Sequence, residues 1–224
     1  MERSTVVIVS VVGLLLAFVI AMLLHNTKQA ETQTQAQAVA RVPTIDRAAL
    51  IRMHSPSLGK IDAPVVIVEF FDPACETCRA FYPLVKEIMA ANPDKIRLVL
   101  RYTPFHKGSD QVVAVLEAAR KQGKFWPALE ALLGAQAAWT PHHTANVDLV
   151  WTHLEGLGLD LEKVRTDMRA PEIAKLIAQD VEDAKTLGVD KTPGFFVNGK
   201  PLVDFGYKQL KQLTDVALKE TTRQ

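Results

Sequence analysis

The chain contains two cysteines, Cys75 and Cys78, and together they form a single C-x-x-C motif. That spacing lets two thiols close a small disulfide ring, share a metal ion or anchor a haem, and the surroundings decide among these. A c-type haem requires histidine after the second cysteine, where Arg79 stands. A tetrahedral zinc site requires two more ligands, and His106, His142, His143 and His153 fall at no metal-ligand spacing. Reversible dithiol–disulfide exchange is the reading that needs nothing further. Three alternatives stay open on the residues alone: a purely structural disulfide, a pair of thiolates handling Cu(I), which soft sulfur ligands suit, and a non-catalytic binding module.

The flanking elements give the motif its meaning. Residues Val65 to Phe71 form a β-branched and aromatic run, opened by Asp62-Ala63-Pro64 and closed by Asp72-Pro73. This is the pattern of a strand buried inside a sheet, with Glu69 as its one charged residue. A helix is predicted from about 75 to 91, so Cys75 stands at its start. Unpaired backbone N–H groups and the positive end of the helix dipole favour an anion there, and the thiolate is the reactive form of cysteine. Cys78, one turn further in, would be shielded yet near enough to close the ring.

A second strand over 96–102 completes a β-α-β unit, implying a parallel pair with a right-handed crossover. The stretch 109–187 reads as helices, over about 109–121, 126–133, 146–156, 160–168 and 171–187, the last opening on Pro171 and stopping at Gly188. Their apolar stripes, with Trp126, Trp139 and Trp151, read as core. The chain then returns to a hairpin, 194–197 and 200–203 about Asn198-Gly199, which suits a type I′ turn, and to a closing helix over 206–219. The expected fold class is α/β, with a helical subdomain inserted at about 109–187.

Cys75-x-x-Cys78 followed by Pro83 and preceded by the 65–71 strand resembles the active-site helix of the thioredoxin fold. The helical insertion, Phe125-Trp126 and the segment from Gly188 through Thr192-Pro193-Gly194 to Gly199 resemble the DsbA-like branch of bacterial thiol–disulfide oxidoreductases. The resemblance covers about 55–220. It implies a thioredoxin-like fold and the following roles. Cys75 is the attacked, solvent-facing sulfur and Cys78 the resolving one. Pro193 is a cis proline facing the disulfide, with the Thr192 main chain open to an extended substrate. Pro83 kinks the active-site helix, and Glu69 is a buried acid that takes the proton of Cys78. The alternatives are a trans turn proline at 193 and, at 69, a hydrogen-bonded buried acid with no part in proton transfer.

Between the cysteines the chain departs from that pattern. Strong oxidants of the family carry Pro-His there, whereas this chain has Glu76-Thr77. A carboxylate roughly 6 Å from the sulfur would repel the thiolate by about 0.7–1.4 kcal/mol, or roughly 0.5–1 pKa unit. The expectation is a milder oxidant, an isomerase or a reductase, needing neither metal nor organic cofactor.

From Ser4 to Thr27 no charged residue occurs, and about 20 successive apolar residues match the thickness of a bilayer core. Residues 1–27 are expected to be an N-terminal transmembrane anchor, because the nearest A-x-A signal-peptidase pattern, Ala38-Val39-Ala40, lies too far downstream. A Gln/Ala-rich linker would fill 28–50, and the thioredoxin-like domain 51–224. Arg3 and the α-amino group against Lys28 suggest a cytoplasmic N-terminus. The site would then lie in the periplasm or outside the cell, held by a single-pass helix in the inner membrane, with protein thiols and disulfides as substrates and a membrane redox partner. With 26 Lys+Arg against 25 Asp+Glu, a net charge of +1, the chain has no basic excess for nucleic acid.

Overall fold

The computed structural model describes residues 47–221. The apolar run assigned to an anchor and most of the 28–50 linker lie outside the described residues; among those described, no helix is long and apolar enough to cross a membrane. The chain from Ile45 onwards forms one compact unit.

A short helical turn, α1 (Arg47–Leu50), leads into a five-stranded sheet. Its strands are β1 (Ser57–Leu58), β2 (Val65–Phe71), β3 (Ile96–Tyr102), β4 (Gly194–Val197) and β5 (Lys200–Pro201), in the order β1-β3-β2-β4-β5. The apolar run 65–71 is the central strand, parallel to β3 and antiparallel to β4. Both its faces are covered, so it contains almost no polar residue. Ile67 and Phe71 face the core that holds both cysteines, while Val68 and Phe70 face a second cluster with Leu50, Val99, Ala184 and Phe196.

Helix α2 (Glu76–Ala90) follows β2 and buries Cys78, Phe81, Tyr82, Val85 and Ile88, one stripe at helical spacing. Between β3 and β4 runs the helical insertion: α3 (Ser109–Lys121), α4 (Phe125–Gly134), α5 (Gln136–Trp139), α6 (Leu161–Asp167) and α7 (Pro171–Thr186); α8 (Tyr207–Thr221) closes the chain. The helix expected over 146–156 is instead two separate 3-10 turns, Val147–Leu149 and Trp151–His153. The Asn146 side chain accepts from the Asp148 N–H at 3.0 Å, which stabilises a local turn in place of a longer helix. The second hairpin strand is shorter than expected, ending at Pro201, although the Leu202 N–H still reaches the Phe195 carbonyl at 2.8 Å. Asn198 and Gly199 have φ of 47° and 85°, as a type I′ turn requires.

Arg101 of β3 is fully buried on the second face. It donates to Asp180 Oδ1 at 3.0 and 2.8 Å, to Asp183, and to the Ala49 and Leu50 carbonyls at 2.7 and 2.8 Å. Arg52 and His54 complete the cluster on the same two carboxylates, at 2.6 Å each. It fastens the entering segment to β3 and α7.

Candidate active site

Cys75 is the N-cap of α2, with extended dihedrals of −75° and 119°. Its Sγ accepts from the Cys78 N–H at 3.3 Å, the place of a capping oxygen taken by sulfur. The same sulfur lies 3.3 Å from the Thr192 carbonyl, to which the thiol form donates. The Thr192–Pro193 peptide is cis, and Pro193 is buried next to the motif's partner strand. Both cysteines are free thiols, Cys75 5% exposed and Cys78 fully buried.

The hydrogen bond from the Cys78 thiol is the main influence lowering the Cys75 pKa. Burial opposes it, and the Thr192 side chain and the N–H groups of Cys78 and Thr77 add to it, so the thiol falls from 9.0 to about 6. Cys78 moves the opposite way. Burial pushes it well up, and hydrogen bonding to Cys75 and the charge of Glu69 push further.

Glu69 sits on β2 between Leu100 and Phe195, fully buried, and neither carboxylate oxygen has a partner among the described residues. Burial, then the negative charge of Cys75, raises its pKa well above the ordinary value. The structure therefore differs from the hydrogen-bonded buried acid considered as an alternative. Glu76 turns to solvent and pairs with His143 at 3.3 Å; Thr77 is exposed, contributing its N–H to the sulfur. Pro83 lies inside α2 at the surface, lining a cleft of about 240 Å³ with Tyr82 and Glu130.

Sequence reasoning did not single out the groups that hold the redox loop. Asp72, fully buried, accepts from Ala74 N–H and His106 N–H at 2.9 Å each, from Ser109 Oγ, and meets His106 Nδ1 at 2.7 Å. Gln136 of α5, 1% exposed, donates to the carbonyls of Pro73 at 2.7 Å and Cys75 at 3.1 Å. The sequence signal for Asp72 was its place directly after the strand and before Pro73; Gln136 carried none. Among the described residues, no group of three or more His, Cys, Asp or Glu converges as a metal site.

Residues 52–215 match the family described as thioredoxin. A thioredoxin-like oxidoreductase from Silicibacter pomeroyi DSS-3 superposes with a TM-score of 0.68 at 35% identity, over 78% of this chain and 98% of that one. BdbD from Bacillus subtilis, in its oxidised form, superposes with a TM-score of 0.64 at 24% identity, over 74% and 94%. Among curated relatives, a Na(+)/H(+) antiporter NhaA from Herminiimonas arsenicoxydans is 31% identical over 144 residues, 64% of this chain. The chain spans about a fifth of the length of such relatives, 22% here and 21% for one from Salinispora tropica. The chain belongs to the thioredoxin family and carries the DsbA-like form of its fold.

Proposed function

We propose that the protein exchanges disulfides with extracytoplasmic proteins through the Cys75–Cys78 pair. The observation that carries this reading is the Cys75 sulfur seated on the α2 amides, with its pKa drawn down to about 6 while its partner is pushed up. In the dithiol state the Cys75 thiolate attacks a substrate disulfide, forming a mixed disulfide and releasing a substrate thiolate. Glu69, once ionised, takes the Cys78 proton; the Cys78 sulfur attacks Cys75 Sγ, and the second substrate thiolate leaves. Run backwards, the same steps oxidise a substrate dithiol and leave both cysteines reduced.

The Thr192 main chain beside the sulfur, and a cleft of about 130 Å³ lined by Val189, Pro193, Phe195, Leu202 and Phe205, suit an extended apolar peptide added as a strand. Cys75, Cys78 and Glu69 are the catalytic residues of this reading, Thr192 and Pro193 its substrate platform, and Glu76, Thr77 and Pro83 its modulators. The domain boundaries at 28 and 51, the inner-membrane anchor over 1–27, the site outside the cytoplasm and a redox partner in that membrane belong to the same proposal. They rest on the uncharged apolar run and the slender excess of positive charge before it.

The test is the equilibrium of the Cys75/Cys78 pair against glutathione, with insulin reduction and refolding of a scrambled protein. Turnover lost in Cys75→Ser, with mixed disulfides accumulating in Cys78→Ser, is the expected result. An ordinary alkylation rate at Cys75, or turnover surviving in Cys75→Ser, would overturn it.

A further inference from the structure

Glu76 occupies the first position inside the dithiol motif, and its Oε1 lies 3.3 Å from Nδ1 of His143, a residue of the helical insertion. The segment that delivers His143 is fastened at several points. Gln136, where it begins, grips the carbonyls of Pro73 and Cys75. Trp139 is fully buried and donates to the Leu132 carbonyl at 2.8 Å. Asn146 N–H returns to the Trp139 carbonyl at 2.8 Å, and Ala145 N–H to the Lys107 carbonyl at 2.9 Å. Gly108 lies so close that an added Cβ would stand 2.4 Å from the Ala145 carbonyl oxygen, and its φ of +79° suits glycine alone.

Within this closed turn His142 and His143 both have left-handed φ, 52° and 58°. That conformation is uncommon outside glycine and tends to occur where a side chain must be aimed. One stretch of the insertion thus holds the redox loop twice, through the main chain at Cys75 and through charge at Glu76.

We propose that His143 is a positioning residue of the redox site, whose imidazole engages the Glu76 carboxylate and so keeps it from opposing the Cys75 thiolate. The inference rests on Cys75 being the redox nucleophile. A histidine between the cysteines would be placed by local sequence; here the helical insertion brings one from a distance. Charged or titratable groups near Glu76 and His143 in the chain include Arg79 on α2, His142 in the same turn, and His106 and Lys107 after β3. His106 is engaged by Asp72, and among the described residues His143 is the side chain paired with Glu76.

The test is the rate of iodoacetamide alkylation at Cys75 in the reduced protein at pH 5.5, read by mass spectrometry. The variants are His143→Asn, His143→Lys, Glu76→Gln and the Glu76→Gln/His143→Asn double variant. Asparagine tolerates the left-handed turn, and both sites are mostly exposed, at 72% and 62%. His143→Asn is expected to slow alkylation about two- to five-fold, the range an exposed charge supplies, and His143→Lys to restore it. In the Glu76→Gln background His143→Asn should have no further effect. A fast wild-type thiol left unchanged by His143→Asn, or slowed equally with and without Glu76, overturns this inference alone. A wild-type thiol as slow as free cysteine overturns the redox reading with it.

Discussion

The low pKa of Cys75 makes a quantitative claim about folding. In the unfolded chain a cysteine thiol ionises near pH 8.5, whereas the folded site holds it at about 6. A group whose folded pKa is depressed adds stability that is fully present above the unfolded value. That contribution is lost as pH falls through the folded value, so the window runs from about 8.5 down to about 6. From the two ionisation equilibria, the reduced protein gains about 1.5 kcal/mol at pH 7 and about 3 kcal/mol at pH 9. Solvent reaching the sulfur screens part of this, so the change from pH 5 to pH 9 should lie between about 1.5 and 3 kcal/mol. The perturbation is Cys75→Ala, which deletes the ionising group and keeps the fold. The assay is urea unfolding under excess reductant at pH 5, 7 and 9, with Glu69→Gln in both proteins because the thiolate, after burial, also raises the pKa of that acid. The difference between the two proteins should widen steadily with pH, and the alkylation midpoint should fall near 6. A flat difference across the three pH values would refute the argument that backbone amides and the Cys78 thiol hold the anion.

Glu69→Leu removes two buried oxygens without partners, so the variant should be more stable by about 1–3 kcal/mol at pH 7 in thermal or urea melts. Its resolution of a mixed disulfide, followed by stopped-flow, should slow at least tenfold because the proton acceptor for Cys78 is gone. Arg101→Met takes the shared buried partner from Asp180 and Asp183, leaving His54 and Arg52 at the edge of the cluster, and should cost about 3–5 kcal/mol, measured by urea titration. Burial would raise the Asp183 carboxyl, but the bonds from Arg52 and Arg101 and the Arg101 charge outweigh it and hold it at about 2. Stability from this depressed acid is therefore intact above about pH 4 and lost as pH falls towards 2, an acid shoulder that Arg101→Met should shrink, since Arg52 still holds the carboxylate. Gln136→Leu leaves the Pro73 and Cys75 carbonyls without their donor. It should cost about 1–3 kcal/mol and move the alkylation midpoint of Cys75 upward as the loop slackens.

The parts of the molecule legible in the sequence are those governed by local pattern. The central strand showed as an unbroken apolar run, since a strand covered on both faces has no polar side to display. The start of α2 showed because the motif follows the turn residues Asp72-Pro73, and the hairpin because Asn-Gly meets the type I′ requirement. What stayed hidden depends on partners remote in sequence. Asp72 is an ordinary turn aspartate until the loop after β3 brings Ser109 and His106 onto it. His143 showed only as a histidine at no metal-ligand spacing, because nothing local announces that its turn closes beside Glu76. The expected repulsion between Glu76 and the thiolate used the motif's spacing alone. In the fold the carboxylate turns outward to an imidazole, and the amides and Cys78 thiol decide the sulfur's ionisation.

Burial acts unequally on three acids packed around one strand end, and that inequality is what makes the pair usable. Cys75 also sits in the interior, yet a helix N-terminus and a neighbouring thiol outweigh the loss of water. Cys78 and Glu69 have no such compensation, and burial moves both upward. The first thiol is therefore ready as an anion while the second keeps its proton, so a mixed disulfide can form before it is resolved. In the proposed exchange resolution requires a base, and the candidate is Glu69, whose pKa burial raises and the Cys75 anion raises further. Once Cys75 is tied up in a mixed disulfide, that negative charge is gone. Glu69 can then ionise more readily, at the step where Cys78 must lose its proton.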